Sequence, residues 1–319
     1  MWYRFLVFNV VLLNIFRTFA AENNPNSREV VVHKYESDST NQLISTYTPS
    51  LKTEQSCPTV IFLGGGGFQN METEKTNKLV NILSDNGYNV FTLKYRTGWL
   101  KNSKTDFCAG NPEDLAGIIL KELEDVYYMM EFLYENADEF NLNPENTFII
   151  GGSAGAVIGL TYTYNAEYFV KWALENQCQL EDPELYISLL QSRKAPKAMI
   201  AIGGFLLEPD RVHSETIIPL FEISLTDDYL IKDSIGIFAN CKSGTMMNTK
   251  TYGSQYIFEK AIEWNTPVDW LSVKASGHGM AGILTSESIT QKILSFLEKH
   301  LSKESSQQEL QWNKTSIKL

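Results

Sequence analysis

The chain is short of the residues that most often carry metal or phosphate chemistry. Only four histidines and four cysteines occur in 319 residues. No Cys-x-x-Cys or paired-histidine spacing gathers them, which argues against a metal site. The one glycine run, Gly64 to Gly67, is not followed by Gly-Lys-Ser/Thr and does not read as a phosphate-binding loop. Basic clusters are missing as well. With a net charge of -11, nucleic acid and anionic lipid surfaces are not expected partners. No internal repeat and no second long apolar run is found. The polar stretch 302–319 lacks the hydrophobic tail that a lipid anchor requires.

What is present begins with a leader-like segment. Met1 to Arg4 precedes an apolar run from Phe5 to Phe16, broken only by Asn9 and Asn14, and Ala20 and Ala21 offer small residues for cleavage. Residues 1–21 therefore read as a secretory signal peptide, with an uncleaved N-terminal anchor as the alternative. Secretion or an endomembrane lumen is the expected location. Residues 22–56 read as a lead-in and 302–319 as a polar tail, and Asn313-Lys314-Thr315 is a glycosylation sequon if the host glycosylates.

Between these ends lies one domain, residues 57–301, with 43% hydrophobic content to fill a substantial core. Strand-like runs at Val60 to Leu63, Asn89 to Lys94, Thr147 to Ile150 and Ala198 to Ile202 alternate with helix-like runs at Thr76 to Asn86, Leu115 to Phe140 and Ala154 to Glu175. The alternation predicts an α/β fold with a mostly parallel central sheet and helices on both faces. Two stretches, 176–197 and 232–266, read as small cap insertions.

Gly151-Gly152-Ser153-Ala154-Gly155 follows the strand-like run ending at Ile150 and opens a helix-like stretch. A serine hydroxyl is unreactive in water. A hydrolase therefore presents it on a tight turn beside a base, and small flanking residues permit such a turn. Gly64 to Phe68 follows another strand-like run. A four-glycine loop is entropically unfavourable, and amides exposed to a negatively charged oxygen would be a reason for it.

These features, with Tyr95-Arg96, Asp125, Thr226-Asp227-Asp228 and Gly277-His278-Gly279 in that order, resemble the α/β-hydrolases of the esterase/lipase type, especially the secreted feruloyl and acetyl-xylan esterases. The resemblance spans about Val60 to Leu301. It implies an α/β-hydrolase fold, a Ser-His-Asp triad and no cofactor. Two positions depart from it. Gly64 stands where the family usually has a histidine that stiffens the glycine loop, and Ala156 stands where glycine is frequent.

Among the four histidines, His33 lies before the core, His300 reads as a charged residue in the last turn of the final helix, and His213 sits in a polar loop. His278, between two glycines after the strand-like Val268 to Lys274, is the candidate base. For the acid, Asp228 aligns with the family's carboxylate, with Asp227 as rival and Glu222 a distant third. Gly65, Gly66 and Ala154 are the candidate oxyanion donors. Phe68, Gln69, Trp99 and Phe107 are candidate pocket borders, though aromatic residues beside a core more often pack.

Four cysteines in a secreted chain suggest up to two disulfides. Cys178 with Cys241, one in each insertion, is the first pairing expected, and Cys57 with Cys108 would follow. The function expected is carboxylic-ester hydrolysis through an acyl-enzyme, on a small-molecule or carbohydrate-linked ester. The alternatives are formamide or amide hydrolysis, or a noncatalytic binding protein on the same fold.

Overall fold

A computed structural model describes residues 30–37, 40–47, 56–70, 77–100, 106–175, 184, 186–187, 191–207, 218–278, 280–301 and 312–318. The leader, Cys178 and His213 lie outside the described residues.

The strands are β1 (Val30–Ser37), β2 (Thr40–Tyr47), β3 (Cys57–Leu63), β4 (Asn89–Lys94), β5 (Leu142–Gly152), β6 (Ala198–Ile202), β7 (Leu220–Asp227), β8 (Ile235–Ile237), β9 (Lys250–Tyr252), β10 (Val268–Ser276) and β11 (Trp312–Lys318). Nine of them form one sheet in the order β1-β2-β4-β3-β5-β6-β7-β10-β11. The first two pairings, β1 with β2 and β2 with β4, are antiparallel, and every later pairing is parallel. The helices are α1 (Asn77–Asp85), α2 (Pro112–Glu135), α3 (Ala154–Leu160), α4 (Ala166–Glu175), α5 (Ser254–Glu263), α6 (Met280–Thr285) and α7 (Glu287–Leu301). This is the α/β architecture the alternation predicts.

Strand periodicity sorts the core into two layers. Ile61, Leu63, Phe91 and Ile149 point to the face covered by α2, α3, α4 and α5, while Val60, Phe62, Val90, Phe148 and Ile150 point to the face covered by α1, α6 and α7. Because both faces are buried, the inner strands are mostly apolar on both sides rather than alternating, with Glu222 and Ser224 of β7 among the buried polar exceptions. The start of α2 is fixed locally. The Asn111 side chain accepts from the Glu113 amide at 2.7 Å, Pro112 occupies the first turn, and Glu113 and Asp114 face the positive helix end.

The structure corrects several expectations. The disulfide joins Cys108 to Cys241 and closes a separation of 133 residues. Neither the Cys178–Cys241 nor the Cys57–Cys108 pairing is therefore made. Cys57 is buried in β3, and Asn141 Nδ2 approaches its sulfur at 3.5 Å. The sequence could not show that the Asp106 to Gly110 turn folds against the segment around Gly244. There a Gly244 Cβ would lie 2.2 Å from the Cys108 carbonyl oxygen, and the Thr245 hydroxyl donates to the Gly110 carbonyl. His300 is not a solvated last-turn charge. It is 3% exposed, with its ring 4.6 Å from that of Phe296.

The second insertion, 232–266, contains the β8–β9 hairpin, but its latter half is α5, whose Ile257 and Ala261 are part of the core. Within the expected polar tail, residues 312–318 run as β11 along β10. Lys314 Nζ lies 4.0 Å from the Trp270 ring centroid there, and the sequon residue Asn313 donates to Asp269 at 2.7 Å.

Two stability predictions follow from buried groups. Glu222, wholly buried in β7, accepts from Ser254 Oγ at 2.8 Å, and burial pushes its carboxyl from 4.5 up to about 8. Between those values the unfolded chain loses a proton that the folded chain keeps, so this group's stabilising contribution is full below 4.5 and falls as pH rises towards 8. Glu222→Gln removes that slope. Its melting temperature should gain on the wild type steadily across the window, and parallel melting curves against pH would refute the assignment. Cys108→Ser together with Cys241→Ser should lower the melting temperature by roughly 5–15 °C, since a long loop is no longer closed in the unfolded chain. A calorimetric scan of the double variant reads this directly.

Candidate active site

β5 and α3 meet at Ser153 with almost no connecting loop. Ser153 adopts φ 53° and ψ -120°, a left-handed backbone that a non-glycine residue holds only when its surroundings force it. Those surroundings can be named. Its amide donates to the Ile202 carbonyl at 2.8 Å, and its carbonyl accepts from the Ala156 and Val157 amides. The flanking glycines are required by close approach. A Cβ on Gly155 would lie 2.1 Å from the Leu63 carbonyl oxygen, and one on Gly151 would lie 2.4 Å from the Gly155 carbonyl oxygen. Ala156, the departure from the family pattern, is accommodated because its neighbours lack side chains. A Cβ on Gly204 would stand 2.8 Å from its methyl group.

Strand ends deliver the other groups. β10 ends at Ser276 and the chain turns at Gly277, φ 91°, whose amide donates to the Asp227 carbonyl at 3.0 Å. This turn carries the His278 ring over the sheet. Its Nε2 is 2.7 Å from Ser153 Oγ and its Nδ1 is 2.6 Å from Asp228 Oδ2. The other Asp228 oxygen accepts the Leu230 and Ile231 amides at 2.8 and 3.0 Å. The Asp228 side chain is 3% exposed and that of His278 is 10% exposed. Three donors thus converge on one buried carboxylate when Nδ1 carries a proton, and that tautomer leaves Nε2 free to accept the serine proton. The rival carboxylates are elsewhere. Asp227 is exposed and meets the turn only through its backbone, and Glu222 faces Ser254.

The glycine loop lies on the elbow. A Cβ at Gly65 would be 3.0 Å from the Gly152 carbonyl oxygen and 3.1 Å from Ser153 Cβ. Ala154 opens α3, so its amide has no carbonyl one turn earlier to bond, while the Ser153 amide is already committed to Ile202. Gly66, with φ 146°, starts a turn in which its carbonyl accepts the Gln69 and Asn70 amides. Of the three expected oxyanion donors, Gly65 lies against Ser153, Ala154 follows it in the chain, and Gly66 is the next loop residue. Three of the candidate pocket borders, Phe68, Trp99 and Phe107, pack on one another. Trp99 stacks on Phe107 at 5.9 Å, Phe68 meets the edge of Trp99 at 6.3 Å, and Phe238 from the second insertion closes the cluster at 5.5 Å from Trp99.

The part played by four residues escaped the sequence reading. The Leu230 and Ile231 amides hold the carboxylate, and no motif marks a backbone donor. Tyr229, 61% exposed, stands next to the acid, with its ring edge 3.9 Å from where a Gly277 Cβ would be. Tyr95 is noticed in sequence only as a landmark. It is buried at the end of β4, and its hydroxyl donates to the Gly64 carbonyl. Beside it, Arg96 is clamped by Asp125 through its amide at 2.6 Å and its Nε at 2.8 Å, and it also pairs with Glu124.

No groups of three or more His, Cys, Asp or Glu side chains placed to hold a metal ion occur among the described residues. The site geometry predicts a strongly downfield proton resonance from His278 Nδ1. It should vanish in Asp228→Ala and survive in Asp227→Ala. Loss in both variants, or in neither, would refute the pairing.

Comparison with known proteins bears on the fold. Residues 44–187 match the BD-FAE family model. A sequence comparison with curated proteins gives no match. Among solved structures, the chain is similar to MGS-M1, an α/β-hydrolase enzyme from a Medee basin deep-sea metagenome library, at 16% identity. That match covers 87% of this chain and 100% of the other, with TM-score 0.56. Esterase 2 of Thermogutta terrifontis matches at 14% identity over 87% and 96% of the two chains, TM-score 0.57. A sugar hydrolase from Lactococcus lactis matches at 17% over 85% and 98%, TM-score 0.54. Sheet order, the strained serine elbow and these likenesses agree, and the chain is a member of the α/β-hydrolase fold with a BD-FAE-like segment over residues 44–187.

Proposed function

We propose that the protein is a secreted or lumenal serine hydrolase of carboxylic esters. The observation that carries the reading is the continuous line of short contacts from Asp228 through His278 to Ser153 beneath the glycine loop. In this mechanism the Ser153 Oγ attacks the ester carbonyl carbon as His278 Nε2 takes its proton. Asp228 holds the ring and stabilises its charged form. The carbonyl oxygen becomes an oxyanion and is held by the Gly65, Gly66 and Ala154 amides, at the positive end of α3. His278 then returns the proton to the leaving alcohol. Water, deprotonated by the same nitrogen, releases the acid from Ser153.

Two further observations support the location. The Cys108–Cys241 disulfide belongs to an oxidising compartment, and the N-terminal segment has the composition of a signal peptide. Among the described residues, no helix is long and apolar enough to cross a membrane. The reading is in line with the esterase from Thermogutta terrifontis, whose solved structure is phosphorylated by paraoxon.

The test uses p-nitrophenyl esters from acetate to octanoate, together with paraoxon. The wild type should release p-nitrophenol and gain one phosphoryl adduct on Ser153, and Ser153→Ala should lose turnover by about a thousandfold or more and gain no adduct. A folded wild type that neither turns over nor is labelled would move the assignment to amide or formamide substrates, or to a noncatalytic binding protein.

A further inference from the structure

The glycine loop lacks the histidine that usually stiffens it, yet it is not unsupported. Tyr95 is 3% exposed, and its hydroxyl reaches across from the end of β4 to donate to the Gly64 carbonyl. A peptide unit is planar, so the Gly64 carbonyl and the Gly65 N–H lie in one plane and point in opposite directions. Fixing the carbonyl towards Tyr95 fixes the N–H on the side away from it, and Gly65 is the loop residue that packs against Ser153 Cβ. Without such a bond, a Gly-Gly peptide could rotate freely about its flanking dihedrals. We propose that the Tyr95 hydroxyl is a positioning group for the oxyanion hole, locking the Gly64–Gly65 peptide so that the Gly65 amide is already aimed when charge develops. The proposal rests on the esterase reading.

The surroundings keep Tyr95 a donor. Burial pushes its hydroxyl well above the usual tyrosine range. Glu122, on α2, is wholly buried, and its oxygens have no hydrogen-bond partner among the described residues. Burial, reinforced by Asp125, pushes its carboxyl well above the usual range, and the Tyr95 hydroxyl is bonded to the Gly64 carbonyl rather than to this carboxyl. Arg96, the next residue, is clamped to α2 through Asp125 and Glu124, so the backbone that carries Tyr95 is itself held.

Tyr95→Phe removes one oxygen. It should lower kcat by about tenfold to a hundredfold, short of deleting a donor outright, and leave KM nearly unchanged. Affinity for a trifluoromethyl ketone, which forms a hemiketal oxyanion on Ser153, should fall by the same factor as kcat/KM. Paraoxon should still label Ser153 to completion, at a reduced rate. Placing 4-aminophenylalanine at position 95 restores a donor and should restore most of kcat. An unchanged kcat, a lowered kcat with unchanged ketone affinity, or no rescue by the amino analogue would overturn the proposal.

If Tyr95→Phe does not fold, amide hydrogen exchange of the wild type decides. A loop held this way protects the Gln69 and Asn70 amides that close on Gly66, whereas exchange of both at the unstructured rate would overturn it. A wild type without ester turnover and without paraoxon labelling removes the esterase reading and this inference together. An active wild type with an indifferent Tyr95→Phe removes only the inference.

Discussion

The whole site depends on how closely the first turn of α3 approaches the end of β3. The Gly155 Cα sits so near the Leu63 and Gly64 carbonyls that any side chain would collide with them. That contact sets the angle between β5 and α3, and the angle compels Ser153 into its left-handed backbone. The strain is carried by the sheet. Ser153 is tied to β6 through the Ile202 carbonyl, and Gly203 is tied in turn to β7 through the Ile223 carbonyl. A serine held this way cannot relax without breaking bonds in the middle of a parallel sheet buried on both faces.

From that point the remaining parts are brought in by strand ends. β7 supplies Asp228, β10 supplies His278, β3 supplies the glycine loop and β4 supplies the Tyr95 hydroxyl that holds it. Parallel strands make this possible, because their carboxyl ends all lie on one side. The loops above are clamped by a separate device. The aromatic cluster of Phe68, Trp99, Phe107, Phe205 and Phe238 joins the glycine loop and the Asp106 to Gly110 turn to the second insertion, and the Cys108–Cys241 bond fastens that turn to the same insertion. Phe107 lies directly against Gly67, so cap and loop share one packing surface.

Much of the fold was legible because local signals and global architecture agree. β4 begins and ends where its apolar run does, and α2 begins at a capping asparagine followed by proline. Ser153 and His278 stood out because glycines flank them, and a glycine is a backbone requirement written into sequence. Asp228 could be preferred to Asp227 only by its offset from β7. The decision between them is made by the Leu230 and Ile231 amides, which are invisible in a string of side chains. His300 misled for a related reason. A histidine in a last turn is usually solvated, but α7 lies against the sheet along its full length, and the ring packs on Phe296.

The sequence by itself determined the alternation of strands and helices, the elbow serine, the glycine loop and the single plausible base, because each is encoded by residues adjacent along the chain. Only the tertiary structure decided which cysteines join, that residues 312–318 extend the sheet, that Glu222 is buried with its carboxyl pushed up to about 8, and that the Tyr95 hydroxyl bonds the Gly64 carbonyl. Those outcomes depend on contacts between residues far apart in sequence, such as Cys108 with Cys241 across 133 positions. Such contacts are set by how helices and loops pack over the sheet, and no local pattern of residue types specifies that packing.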